Sequence, residues 1–199
     1  MKESFFSLGL IVFVMTLDLD FFFQPSSVVL YGISRKPGKS GYFIGLNMKS
    51  YNPKHLYIIH PEAEEVHGIP CKKRFEDLPF DIREHIELVI ISLPIPFVTQ
   101  AVLDCIKHGV KGIIIGSGNV GLNSNEVSEN TKKIKDALNK QQGEKTRIIG
   151  PNGLGVFNNQ NKFFTAIMTT EEYPPFGKDS VSIIAQTGLM VSAYLIDFI

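Results

Sequence analysis

The chain has 199 residues, room for one full domain and part of a second. With 44% apolar and 20% charged residues it has the balance of an ordinary soluble globular protein, and its 20 basic and 20 acidic residues cancel, leaving no global field for nucleic acid or an anionic membrane. Any anion must therefore be held by local geometry.

An apolar run over residues 5–15 is too short to span a bilayer. No small-residue cleavage site follows it, as a secretory signal would require. Residues 1–14 are therefore expected to be an extension, with the domain opening near Met15 and the membrane unlikely as a partner. Strands are expected at 27–32, 55–60, 87–92, 111–115 and 147–150, each a short β-branched run. Between them, 41–49, 97–108 and 125–141 carry helical periodicity, with Gly109 ending the second of these as a C-cap. Alternating strands and helices, with strands apolar almost throughout, predict an α/β fold: a Rossmann-like parallel sheet covered on both faces. Residues 171–179 hold two prolines and a glycine and read as a linker. A further strand (180–185) and helix (188–199) then follow, and a lone unit of this kind cannot bury its own apolar faces. They are expected to open a second domain.

Ligands of open parallel sheets bind beyond the carboxyl ends of the strands. After the first strand stand Gly32, Ser34, Arg35, Lys36, Pro37, Gly38, Lys39 and Gly41. Three glycines and three cations are more than a plain connection needs. They suit an anion held at a helix start. His60 and Pro61 end the second strand, Leu93 and Pro94 follow the third, and Gly116 and Ser117 open a polar loop after the fourth. A run of turn-forming residues from Gly150 to Gly155 follows the fifth.

Two other ligands fit these residues less well. A dinucleotide fingerprint needs Gly-x-Gly-x-x-Gly and an acid at the tip of the second strand. Here five residues separate Gly32 from Gly38 and the strand ends in His60, so NAD is disfavoured. His55, His60, His67 and Cys71 suggest zinc, but their spacing matches no ligand pattern, and no metal is expected. The two cysteines, Cys71 and Cys105, cannot make a disulfide framework, which fits a cytoplasmic protein.

Three segments, 22–41, 150–155 and Gln186, Thr187 and Gly188, make the chain similar to ADP-forming acyl-CoA synthetases and to the α subunit of succinyl-CoA synthetase. The likeness runs from about Met15 to the last residue. It implies an N-terminal CoA-binding domain over 15–170, with coenzyme A against the residues gathered above at the strand ends. It further implies that 180–199 is the truncated start of a succinyl-CoA-synthetase-like, flavodoxin-like domain. Asn152, from the first domain, and Gln186, Thr187 and Gly188 would handle phosphate. The family's phosphohistidine would lie beyond residue 199, so the chain would be a CoA-binding module that cannot finish the ligase reaction alone. A second chain would supply the missing ligase and ATP-grasp domains. Three positions depart from the family pattern: Gly153 stands for a cysteine, Ala185 for a serine and His60 for an asparagine. The rival readings are a stand-alone CoA-binding protein and an NAD-responsive regulator.

Overall fold

The computed structural model describes residues 18–118, 122–166 and 184–186. Nine strands and four α-helices are found among them. In chain order these are β1 (Ser27–Tyr31), α1 (Ser40–Tyr51), β2 (His55–Ile59), β3 (Glu65–Val66), β4 (Ile69–Lys72), α2 (Phe80–Arg83), β5 (Leu88–Ile91), α3 (Ile95–Lys107), β6 (Gly112–Ile115), α4 (Ser124–Lys140), β7 (Arg147–Ile149), β8 (Phe157–Asn158) and β9 (Phe163–Phe164).

Seven strands form one sheet in the order β3-β4-β2-β1-β5-β6-β7, and only β3 runs antiparallel to its neighbour. The chain leaves β1 toward β2 and β4, then crosses back and resumes at β5 on the other side of β1. The strand order therefore reverses between β1 and β5, the switch point where ligands of such sheets bind.

All five residues of β1 and all four each of β5 and β6 are buried. Their side chains alternate between two cores. Val28, Leu30, Leu88, Ile90 and Ile114 face α1 with Ile44 and Met48, whereas Val29, Val89, Ile91, Ile113 and Ile115 face α3 with Val102 and Cys105. Each such side chain contributes roughly 1.5–3 kcal/mol of burial. This two-sided burial is why the strands read as continuous apolar runs. Helix α1 buries Gly41, Ile44, Gly45 and Met48, one stripe of a 3.6-residue period. The buried Asn47 amide donates to the Ala166 carbonyl at 3.1 Å, tying the segment after β9 to α1.

The five strands and three long helices expected from the sequence are present. Helix α3 starts two residues earlier than the apolar pattern, because Pro96 falls in its first turn, where a missing N–H removes no helical bond. The β3–β4 and β8–β9 hairpins were not expected. Their strands are only two to four residues long, too short for a periodic signal. Of the strand expected at 180–185, only Ile184 and Ala185 are described, and they are exposed and irregular. The remainder of that strand, the 171–179 linker, the helix at 188–199 and the 1–14 extension lie outside the described residues.

At the amino ends of the strands, Glu87 holds β1 and β5 together. Its carboxylate accepts from the Ser26 N–H at 2.7 Å, the Ser26 hydroxyl at 2.9 Å and Lys111 Nζ at 3.3 Å. Burial pushes the Glu87 carboxyl up, but the two Ser26 bonds and Lys111 outweigh it and hold it below the ordinary carboxylate range. A carboxyl lowered on folding stabilises the fold above its unfolded pKa and loses that stabilisation as pH falls through its folded value. Glu87→Gln should therefore cost about 1 kcal/mol at neutral pH. The gap to the parent should close on acidification below the carboxylate range, as read from urea midpoints at each pH. A gap independent of pH would rule out the ionic contribution.

Candidate functional site

At the end of β1 the chain turns within a space that admits no side chain. Gly32 has φ +76°, and a Cβ on it would run into the Ser92 carbonyl at the end of β5. A Cβ on Gly41 would run into the Gly32 carbonyl, and would lie 3.1 Å from Cα of Ile33. The first turn of α1 thus sits directly on the tip of β1. Nothing but glycine fits.

The strand ends surround a cleft of about 730 Å³, the size of a small-molecule or cofactor site. Gly32, Ser34, Lys39 and Gly41 contribute from the first loop, Leu93 and Pro94 from the turn after β5, and Gly116 and Ser117 from the turn after β6. These eight expected residues are brought together. Gly153, Leu154 and Thr165 close the far side, and Ser40 and Ser92 join the lining, their hydroxyls 3.1 Å apart. Nothing in the sequence singles out these two serines beyond their places beside expected residues.

The backbone turns at the mouth are fixed by hydrogen bonds. Ser117 Oγ donates to the Leu93 carbonyl at 2.6 Å, the Ser92 N–H to Tyr31 O at 3.0 Å and the Gly153 N–H to Ile115 O at 3.1 Å. Helix α1 has Lys39 as its N-cap with no side chain bonding its first N–H groups. Its N-terminal turn therefore offers donors and the positive end of the helix dipole at the cleft.

The other expected residues lie elsewhere. Arg35, Lys36, Pro37 and Gly38 form the exposed outer arch of the first loop, outside the cleft lining. His60 and Pro61 are at the tip of β2, also outside the lining. His60 Nδ1 accepts from the N–H groups of Glu62 (3.1 Å) and Ala63 (2.9 Å), as an asparagine side-chain oxygen does in an Asx turn. Asn152 and Gln186 are exposed, and Asn152 holds its turn through a 2.9 Å bond from its N–H to Ser117 O. Thr187 and Gly188 lie outside the described residues. At Gly153 a Cβ would meet its nearest atoms at 3.7 Å, an ordinary contact, so the backbone there would accept a cysteine.

Lys39 is the one charged residue among the described residues lining the cleft, and no acid, histidine or cysteine joins it. Burial raises the thiols of Cys71 and Cys105, so neither is an activated nucleophile. No group of three or more His, Cys, Asp or Glu residues is placed to hold a metal ion among the described residues. Nor is any helix there long and apolar enough to cross a membrane.

Sheet order, switch-point cleft and helix terminus define a doubly wound α/β domain. Residues 23–118 match the CoA binding domain family. Two similar enzymes are the ADP-forming acetate–CoA ligase of Methanocaldococcus jannaschii, 36% identical over 89% of this chain and 23% of the relative, and subunit alpha of ADP-forming acetate–CoA ligase II of Pyrococcus furiosus, 30% identical over 86% and 35%. Among solved structures, PH0766 from Pyrococcus horikoshii matches with a TM-score of 0.66 and 32% identity, over 76% of this chain and 33% of that one. The apo dinucleotide-forming acetyl-coenzyme A synthetase 1 of Ca. Korarchaeum cryptofilum matches with 0.61 and 28%, over 75% and 31%. The chain is thus homologous to part of the ADP-forming acid–CoA ligases and spans 23–35% of those two ligases.

The tight approach at Gly41 can be tested against a glycine in open space. A Cβ at Gly38 meets nothing within 4 Å, although its φ is +80°. Gly38→Ala should cost about 1 kcal/mol through its backbone conformation alone. Gly41→Ala, meeting backbone that cannot rotate away, should cost roughly 2–3 kcal/mol or prevent folding. Urea denaturation of both variants measures the difference; equal costs would show that the helix start can move off the strand.

Proposed function

We propose that the switch-point cleft holds the phosphorylated end of coenzyme A and that the chain is the CoA-binding module of an ADP-forming acid–CoA ligase. The observation that carries this reading is the uncapped N-terminus of α1, which opens on a glycine-floored cleft beside Lys39. A diphosphate can approach such a floor closely, accept from the helix-start N–H groups and sit against one ammonium. The apolar walls of Ile44, Leu93, Pro94 and Ile95 suit the flat, weakly polar remainder of a nucleotide.

The lining holds a ligand without offering a general base or nucleophile. In this proposal the acyl-transfer chemistry and its phosphorylated intermediate belong to other parts of the ligase, and the cleft supplies orientation of CoA. Nicotinamide dinucleotides fit less well. The tip of β2 carries His60, whose Nδ1 is taken by two backbone N–H groups, where a dinucleotide site would place a carboxylate for the ribose hydroxyls.

Calorimetric titration with CoA and with NADH tests the ligand class, and saturable binding of CoA alone is expected. Lys39→Ala should weaken CoA about tenfold or more, the effect of one charge-assisted hydrogen bond. Lys36→Ala, on the exposed arch, should change affinity less than about threefold. Raised salt should narrow the Lys39 gap, because the lost interaction is electrostatic. NADH binding without CoA binding would replace this proposal with a redox-responsive regulator, and equal losses at Lys36 and Lys39 would move the phosphate site to the outer arch.

A further inference from the structure

The β3–β4 hairpin reaches across to the first loop through one side chain. His67 Nε2 lies 2.8 Å from the Ser34 carbonyl oxygen. A carbonyl only accepts, so Nε2 carries the proton and donates. The His67 ring meets Tyr42 of α1 edge-on, with centroids 5.0 Å apart and planes at 78°. It also packs against α1 where Gly45 has no side chain, since a Cβ there would come within 2.8 Å of His67 Cδ2. His67 and Gly68 have φ values of 58° and 78°, both left-handed, which makes them the two-residue tip of a tight hairpin. A histidine held in that conformation, fitted against a glycine of the helix, has its ring direction fixed on three sides.

Ser34 is the point at which the loop is held. On one side Ile33 is buried in the core; on the other, Ser34 Oγ accepts from the Lys36 N–H at 3.0 Å. The Ser34 carbonyl is where a neighbouring element grips the loop between β1 and the helix start.

We infer that His67 is a positioning residue: through Ser34 it fixes the first loop so that Lys39 and the α1 N-terminus face the cleft. It touches no ligand itself. This rests on the CoA proposal for its effect on affinity, but its effect on the loop does not.

The test uses the full chain and two substitutions. His67→Asn suits the hairpin tip, because Asn-Gly is a favoured pair for such turns, but its side chain is too short to reach Ser34. His67→Gln restores the reach of the donor. Hydrogen exchange of peptides covering residues 33–42 is measured without ligand, alongside CoA titration and thermal melting. His67→Asn should melt at or above the parent temperature yet exchange faster in the loop and bind CoA about five- to tenfold more weakly, the effect of one lost hydrogen bond. His67→Gln should recover most of both losses. Parent-like exchange in His67→Asn, or equal impairment of the two variants, would overturn the inference. If the parent itself fails to bind CoA, the ligand proposal falls, while the exchange comparison still decides whether His67 positions the loop.

Discussion

Three backbone segments meet at the tip of β1 with no room for a side chain between them. Gly32 lies against the Ser92 carbonyl, and Gly41 lies against Gly32. This double contact sets where α1 begins and how closely its first turn approaches the ends of β1 and β5. The proposed anion site depends on it. The helix N-terminus borders the cleft because the helix starts on top of the strand, and the cleft floor is open to close approach because neither glycine carries a Cβ.

The electrostatics of the site are local. The chain is formally neutral, and the described lining contains a single charge, Lys39. Backbone N–H groups and the dipole of a 12-residue helix provide the rest of the field. Such groups are fixed by the fold and need no reorganisation when a ligand arrives. A cleft without a general base or nucleophile is consistent with a module that presents a substrate to chemistry carried out elsewhere in a larger enzyme.

Two histidines near the first loop have opposite roles. At the tip of β2, His60 accepts through Nδ1 from two backbone N–H groups and closes a turn. At the tip of the β3–β4 hairpin, His67 donates through Nε2 to the Ser34 carbonyl. Each nitrogen is assigned by the partner it faces, because an N–H can only donate and a carbonyl can only accept. In the sequence these residues, with His55 and Cys71, match no metal-ligand spacing; in the fold His60 and His67 make separate structural contacts.

The sequence by itself determined the sheet and its site region. Strands β1, β5 and β6 are buried on both faces, so their apolar runs were unmistakable, and parallel order fixes which loops share an edge. It therefore assigned Gly32, Ser34, Lys39, Gly41, Leu93, Pro94, Gly116 and Ser117 to one end of the sheet, together with Arg35, Lys36, Pro37, Gly38, His60 and Pro61, which the fold leaves outside the cleft lining. Which cation of the loop borders the cleft was not legible, because Arg35, Lys36 and Lys39 are chemically alike and all exposed, and only the helix start separates the last from the others. Nor was the role of His67, which is 33 residues from Ser34 in the chain. Its hairpin has strands too short for periodicity, and its partner is a backbone carbonyl that no side-chain pattern encodes. Tertiary structure decided these points because they depend on distances between segments that only packing brings together.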